Sequence, residues 1–143
     1  MTIRYDAGEV ITAMVTPFNE KREIDYPAVE KLCKHLVNTG SDALLVAGTT
    51  GESPTLTHDE EYELLYAVKA TVSGAAKVIM GAGSNSTRTA VDVTKKVESL
   101  GADAVLSVVP YYNKPNQQGM IEHFGAIARS TNLLIILYNI PSR

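Results

Sequence analysis

The sequence has a single cysteine, no basic cluster and no apolar run of about 18 residues, the length needed to span a bilayer. Cys33 alone cannot form an internal disulfide, as is typical of proteins from a reducing compartment. The first 30 residues lack the apolar central segment of a secretory signal. A net charge of -3 without a basic cluster argues against binding to nucleic acid. We therefore expect a cytoplasmic protein that binds neither a membrane nor nucleic acid.

The composition is that of an ordinary globular domain. The 143 residues are 45% hydrophobic and 20% charged, which excludes a disordered chain. No linker-like or low-complexity segment interrupts the sequence. We expect one structural unit rather than two domains.

Short apolar runs recur along the chain and predict five β-strands. Each run is rich in valine, isoleucine and leucine and does not alternate with polar residues, which is typical of strands buried on both faces. The predicted strands are Val10–Val15, Ala43–Ala47, Val78–Met80, Ala104–Val109 and Leu133–Leu137.

Segments of helical periodicity separate these strands. Asp25, Thr57 and Ser86 are the expected N-caps of the first three helices, and the fourth helix follows the loop 113–119. A strand and a helix alternate about every 30 residues, which predicts a parallel sheet with right-handed crossovers.

Two α/β architectures fit this pattern equally well. One is a five-stranded, doubly wound sheet of the flavodoxin type. The other is part of a (β/α)8 TIM barrel, which takes about 250 residues when complete. In the second case, the chain would supply the first five strands.

Polar residues concentrate after the carboxyl ends of the strands, where both architectures bind ligands. The loop 48–52 could hold a carboxylate through threonine hydroxyls and backbone N–H groups, or it could be a tight turn with a capping threonine. Tyr111, Tyr112 and Tyr138 could relay a proton, or they could form an amphipathic ring at the rim. Gly81 and Gly83 match a dinucleotide fingerprint only weakly, so a turn is the better interpretation.

The remaining polar groups indicate structural roles. His35 and His123 are predicted to lie on helix surfaces, and the acidic run 59–61 is predicted to be solvated. Cys33 lies on an apolar helix stripe, which predicts a packed thiol. None of the histidines has metal-ligand spacing with another, so we expect neither a metal nor a cofactor.

Four motifs together resemble the dihydrodipicolinate synthase / N-acetylneuraminate lyase family. They are Thr12–Phe18 (TAMVTPF), Ala43–Glu60 (ALLVAGTTGESPTLTHDE), Pro110–Pro115 (PYYNKP) and Tyr138–Arg143 (YNIPSR). The third motif resembles the synthase branch rather than the sialic acid lyases. The resemblance implies a class I aldolase on a (β/α)8 barrel, with residues 1–143 as the amino-terminal portion of a single barrel domain.

The resemblance also implies a reaction and the residues that serve it. Members of the synthase branch condense pyruvate with aspartate semialdehyde through a lysine Schiff base, on the route to diaminopimelate and lysine. Thr49, Tyr112 and Tyr138 would form the proton relay, and Thr50 would hold the pyruvate carboxylate. Arg143 would bind the semialdehyde carboxylate. Tyr112 would reach into a neighbouring subunit, which implies a homo-oligomer, either a dimer or a tetramer.

Two features depart from the family pattern. The Schiff-base lysine belongs to a sixth strand, so we expect the 143-residue chain to be inactive alone. Ser53, His58, Asn85 and Tyr111 match a lysine-feedback site, but Glu61 and Thr89 stand where regulated members have histidine and glutamate. We therefore expect no lysine inhibition. The alternatives are another pyruvate-dependent aldolase of the same family, or a non-catalytic half-barrel or doubly wound module that binds small acids.

Overall fold

The structure is a computed structural model that describes residues 6–141. Five strands alternate with four α-helices, and a short 3-10 turn, Ser53–Thr55, precedes the second helix. The strands are β1 (Ile11–Ala13), β2 (Ala43–Val46), β3 (Lys77–Gly81), β4 (Ala104–Val108) and β5 (Leu134–Tyr138). The helices are α1 (Tyr26–Asn38), α2 (His58–Val72), α3 (Thr87–Ser99) and α4 (Gln117–Ala128). The predicted alternation is confirmed.

The order of the strands decides between the two architectures. All neighbouring strands are parallel and the order is β1-β2-β3-β4-β5. A doubly wound sheet reverses its strand order part-way, whereas a barrel adds each strand beside the previous one. The fold is therefore an arc of a (β/α)8 barrel, and the flavodoxin-type alternative is wrong.

The two faces of the sheet pack differently. Leu44, Val78 and Val105 point outward and join the helices in one large apolar core. The next residues along these strands point to the opposite, inner face. There Leu45 pairs with Ile79, and Ile79 pairs with Ala104. Inward side chains of this kind fill a barrel interior in layers, and each layer draws its side chains from alternate strands.

Local capping sets where the helices begin. Asp25 accepts a hydrogen bond from Ala28 N at 3.0 Å, and Thr57 forms a full capping box with Glu60. Ser86 accepts from Thr89 N at 3.3 Å. These three caps are confirmed. The cap of α4 is Asn116, which the sequence pattern left inside a loop.

Two expectations about polar side chains are wrong. His123 is 4% exposed, because α4 turns it toward α3, where its Nδ1 lies 2.8 Å from Thr87 Oγ1. Burial lowers the pKa of His123 below its usual 6.5. Glu61 is also 4% exposed, although its neighbours Asp59 and Glu60 are more open. The predicted packing of Cys33 is confirmed, and burial raises the pKa of its thiol to about 11.

Candidate active site

The loops that follow the strands meet at one rim of the sheet and enclose a cavity of about 450 Å³. Thr49 and Thr50 line it from the loop after β2, and Tyr111 lines it from the loop after β4. Tyr138, the last residue of β5, closes another side. Three strand ends thus contribute hydroxyl groups to one space, which has the size of a small-molecule site.

The loop 48–52 is a compact chain reversal. Gly51 N donates to Gly48 O and Glu52 N donates to Thr49 O, each at 3.1 Å. Ala47 and Glu52, on either side of Gly48–Gly51, have left-handed backbones with φ of 50° and 57°. Non-glycine residues adopt this conformation at a cost, and such strain is concentrated at functional sites. The turn leaves the side chains of Thr49 and Thr50 exposed.

Two glycines allow the strands to approach each other beneath this loop. A Cβ atom on Gly81 would collide with Ala47 O, and one on Gly83 would collide with the backbone of Val108. Both glycines line the cavity. Their role here is close backbone approach, because a larger residue at either position would push the rim apart.

The three rim tyrosines do not all face the same space. Tyr111 and Tyr138 are 43% and 41% exposed and line the cavity. Tyr112 is 92% exposed and is not among the cavity-lining residues. Asn113 N donates to Tyr111 O at 2.8 Å, so Tyr112 lies at the apex of a tight turn with φ of 67°. The Tyr112 side chain is therefore exposed to solvent and does not line the cavity of its own chain.

A second cavity of about 270 Å³ adjoins the first. Ser53 and Tyr111 line both cavities, whereas His58, Glu61 and Thr89 line only the second. Ser53 Oγ donates to Glu61 Oε1 at 2.6 Å, and His58 Nδ1 lies 2.9 Å from Glu61 Oε2. The sequence pattern did not identify this buried acceptor, because a charged residue in a helix first turn is usually solvated.

Asn85 is outside both cavity linings, and its carbonyl accepts a hydrogen bond from Asn113 Nδ2 at 3.2 Å. Arg143, the expected ligand of a second carboxylate, lies outside the described residues. Within residues 6–141, no three His, Cys, Asp or Glu side chains are grouped as metal ligands would be. Over the same range, no helix is both long and apolar enough to cross a membrane.

Thr16 belongs to the motif Thr12–Phe18, but the sequence analysis assigned it no role in this site. It follows β1 and is 5% exposed. Its hydroxyl donates to Gly51 O at 2.6 Å. Its place just beyond β1, at the rim where the strand ends meet, is the signal that could have identified it.

Comparison with known proteins identifies the family. The model of the dihydrodipicolinate synthetase family matches residues 6–143. The chain belongs to the dihydrodipicolinate synthetase family.

Individual members of the dihydrodipicolinate synthetase family are very similar to the chain. A 4-hydroxy-tetrahydrodipicolinate synthase from a Synechococcus strain is 59% identical over 136 residues, which are 95% of this chain and 44% of the relative. The dihydrodipicolinate synthase structure from Bacillus anthracis has a TM-score of 0.96 at 49% identity, covering 98% of this chain and 48% of that one. The structure from Cyanidioschyzon merolae, solved with lysine bound, has a TM-score of 0.94 at 56% identity with the same coverage.

The chain therefore spans somewhat less than half the length of the curated relatives it matches. The resemblance drawn from the sequence motifs is confirmed at the level of the dihydrodipicolinate synthetase family. The partial barrel is confirmed as well, since the five strands superimpose on members of that family.

Proposed function

We propose that residues 1–143 form the amino-terminal portion of a single (β/α)8 barrel domain, and that the complete protein condenses pyruvate with aspartate semialdehyde. The observation that carries this proposal is the joint lining of one cavity by Thr49, Thr50 and Tyr138. A keto acid needs a carboxylate site and a proton donor within a few ångströms of each other. Hydroxyl groups from neighbouring strand ends supply both kinds of group.

Each hydroxyl has a separate role in this proposal. Thr50 holds the pyruvate carboxylate through its hydroxyl and its backbone N–H. Thr49 and Tyr138 pass protons to and from the reacting carbon and oxygen atoms. Tyr112 completes the relay, and Arg143 binds the carboxylate of aspartate semialdehyde, for which a guanidinium group is well suited.

The nucleophile comes from outside the 143 residues. The chain has eight lysines, and none is among the described residues that line the cavity. Schiff-base formation needs a lysine amine held near the keto carbon in a desolvated site. The family pattern assigns that lysine to a sixth strand, so residues 1–143 bind and orient substrate while the remainder of the barrel supplies the amine.

The protein acts as a homo-oligomer, either a dimer or a tetramer, in the cytoplasm. The exposure of Tyr112 and its left-handed backbone support this proposal. A hydrophobic ring that is 92% exposed on a strained turn gains stability when a second subunit covers it. The single buried cysteine is consistent with a reducing compartment.

The test uses a completed chain, defined as residues 1–143 followed by the remaining carboxyl-terminal part of the Synechococcus relative. Borohydride reduction in the presence of pyruvate should give a covalent adduct on the completed chain and none on the 143-residue chain. An adduct on the shorter chain would contradict the assignment of the nucleophile to another segment.

Substitution of Thr50 tests the carboxylate site in the same protein. Thr50→Val should raise the KM for pyruvate by about tenfold or more, because a charge-assisted hydrogen bond contributes about 1.5–3 kcal/mol. Thr71→Val is the matched control, since the Thr71 hydroxyl donates to Ala67 O within α2. Equal KM values for both variants would exclude Thr50 from the carboxylate site.

A further inference from the structure

The hydroxyl of Thr16 is the only side-chain donor that reaches the backbone of Gly48–Gly51 among residues 6–141. The bond to Gly51 O measures 2.6 Å, and both residues are buried. Buried carbonyl groups require a donor, and loss of that donor leaves the group desolvated and unpaired. Thr16 therefore supplies an interaction that solvent cannot replace.

The loop depends on support from outside itself. Its two internal hydrogen bonds are each 3.1 Å long, and Ala47 and Glu52 are both held in left-handed conformations. Such conformations persist only where the surroundings over-determine them. A Cβ atom on Gly51 would lie 3.2 Å from both Met14 O and Thr16 Oγ1, so the loop is seated directly against the end of β1.

We infer that Thr16 is a positioning residue, which holds the loop 48–52 so that Thr49 and Thr50 face the cavity. This inference rests on the proposed function, because it assigns Thr16 to the orientation of the groups that bind and protonate pyruvate. Thr16 itself does not line the cavity and so acts through the loop.

Thr12, which lies within β1, offers a matched control. Its Oγ1 lies 2.8 Å from Ser41 Oγ, in the turn that precedes β2 at the opposite rim. Replacement of either threonine by valine removes one hydroxyl and keeps the side-chain shape. Thr16→Val therefore removes a hydrogen bond at the rim of the cavity, whereas Thr12→Val removes one at the opposite rim.

The experiment compares Thr16→Val, Thr16→Ser and Thr12→Val in the completed chain. Thr16→Val should raise the KM for pyruvate by about tenfold and lower kcat, which is the loss expected for one buried hydrogen bond. The KM for aspartate semialdehyde should stay within about twofold, because the loop does not hold that substrate. Thr16→Ser should restore both pyruvate parameters, whereas Thr12→Val should lower Tm without changing them.

The outcomes separate this inference from the proposed function. Unchanged pyruvate kinetics in Thr16→Val would overturn the positioning role and leave the proposed function intact. A folded, inactive completed chain beside an active Synechococcus relative would overturn both. If Thr16→Val does not fold, Thr16→Ser and Thr16→Ala provide the same comparison, since they differ from each other only in the hydroxyl.

Discussion

Ser53 Oγ donates a hydrogen bond to the carboxylate of Glu61 at 2.6 Å, across the start of α2. The same carboxylate also contacts His58 Nδ1, and it is 4% exposed. Ser53 and His58 are two of the side chains that the sequence resemblance predicts for a lysine-feedback site. Each therefore has one polar atom engaged by an acidic residue of the chain itself.

This engagement predicts that the completed chain is insensitive to lysine. The rate should be unchanged at about 1 mM lysine, a concentration that would half-saturate a site with a binding free energy of about −4 kcal/mol. The Cyanidioschyzon merolae enzyme is the positive control for lysine binding, because its structure contains bound lysine. Saturable inhibition of the completed chain below that concentration would show that Glu61 does not block the site.

Removal of the Tyr138 hydroxyl should slow turnover of the completed chain by about 10²–10⁴-fold, the usual contribution of a positioned proton donor. Tyr138→Phe keeps the ring that closes the cavity, so pyruvate binding should change little. Tyr66→Phe is the control, since Tyr66 is 70% exposed on α2. Steady-state kcat measures the difference, and near-normal turnover in Tyr138→Phe would remove Tyr138 from the relay.

Two glycine substitutions should change stability in opposite directions. Gly81→Ala places a methyl group against Ala47 O and should lower the free energy of unfolding by about 1–3 kcal/mol. Gly125→Ala lies within α4, where the flexible end of Arg129 is the nearest group, and should raise it by about 0.5–1 kcal/mol. Urea denaturation of the completed chain measures both free energies of unfolding. An unchanged value for Gly81→Ala would refute the close approach of Gly81 to Ala47 O.

Burial of His123 predicts a loss of stability in mild acid. The pKa of His123 is lowered in the folded state by burial, whereas the unfolded side chain titrates near 6.5. The unfolded chain therefore binds the proton first, and the free energy of unfolding should fall as the pH drops below 6.5 toward the lower folded pKa. Above pH 6.5 both states are neutral at this residue and it contributes no pH dependence.

Substitution of His123 isolates its contribution to the pH dependence of the free energy of unfolding. His123→Gln should reduce the difference in unfolding free energy between pH 7.5 and pH 5.5, because glutamine does not titrate. His35→Gln should leave the difference unchanged, since His35 is exposed on α1. An identical pH dependence in both variants would show that His123 takes up its proton equally in the folded and unfolded states.

The sequence alone predicted the order of elements, because strands and helices are set by local patterns. Continuous apolar runs indicated the strands, and Asp25, Thr57 and Ser86 marked three helix starts through hydrogen bonds to residues three positions away. It also predicted that the polar loops would share a rim, since the carboxyl ends of parallel strands lie at one edge of a sheet.

Only the tertiary structure decided between a doubly wound sheet and a barrel, because both use the same βα repeat and differ in the pairing of distant strands. It also decided that Glu61 and His123 are buried, and that Thr16 reaches Gly51. Residues 16 and 51 are 35 positions apart and become partners through strand pairing. Contacts of that kind have no periodic signal in the sequence, since they depend on which elements the folded chain brings together.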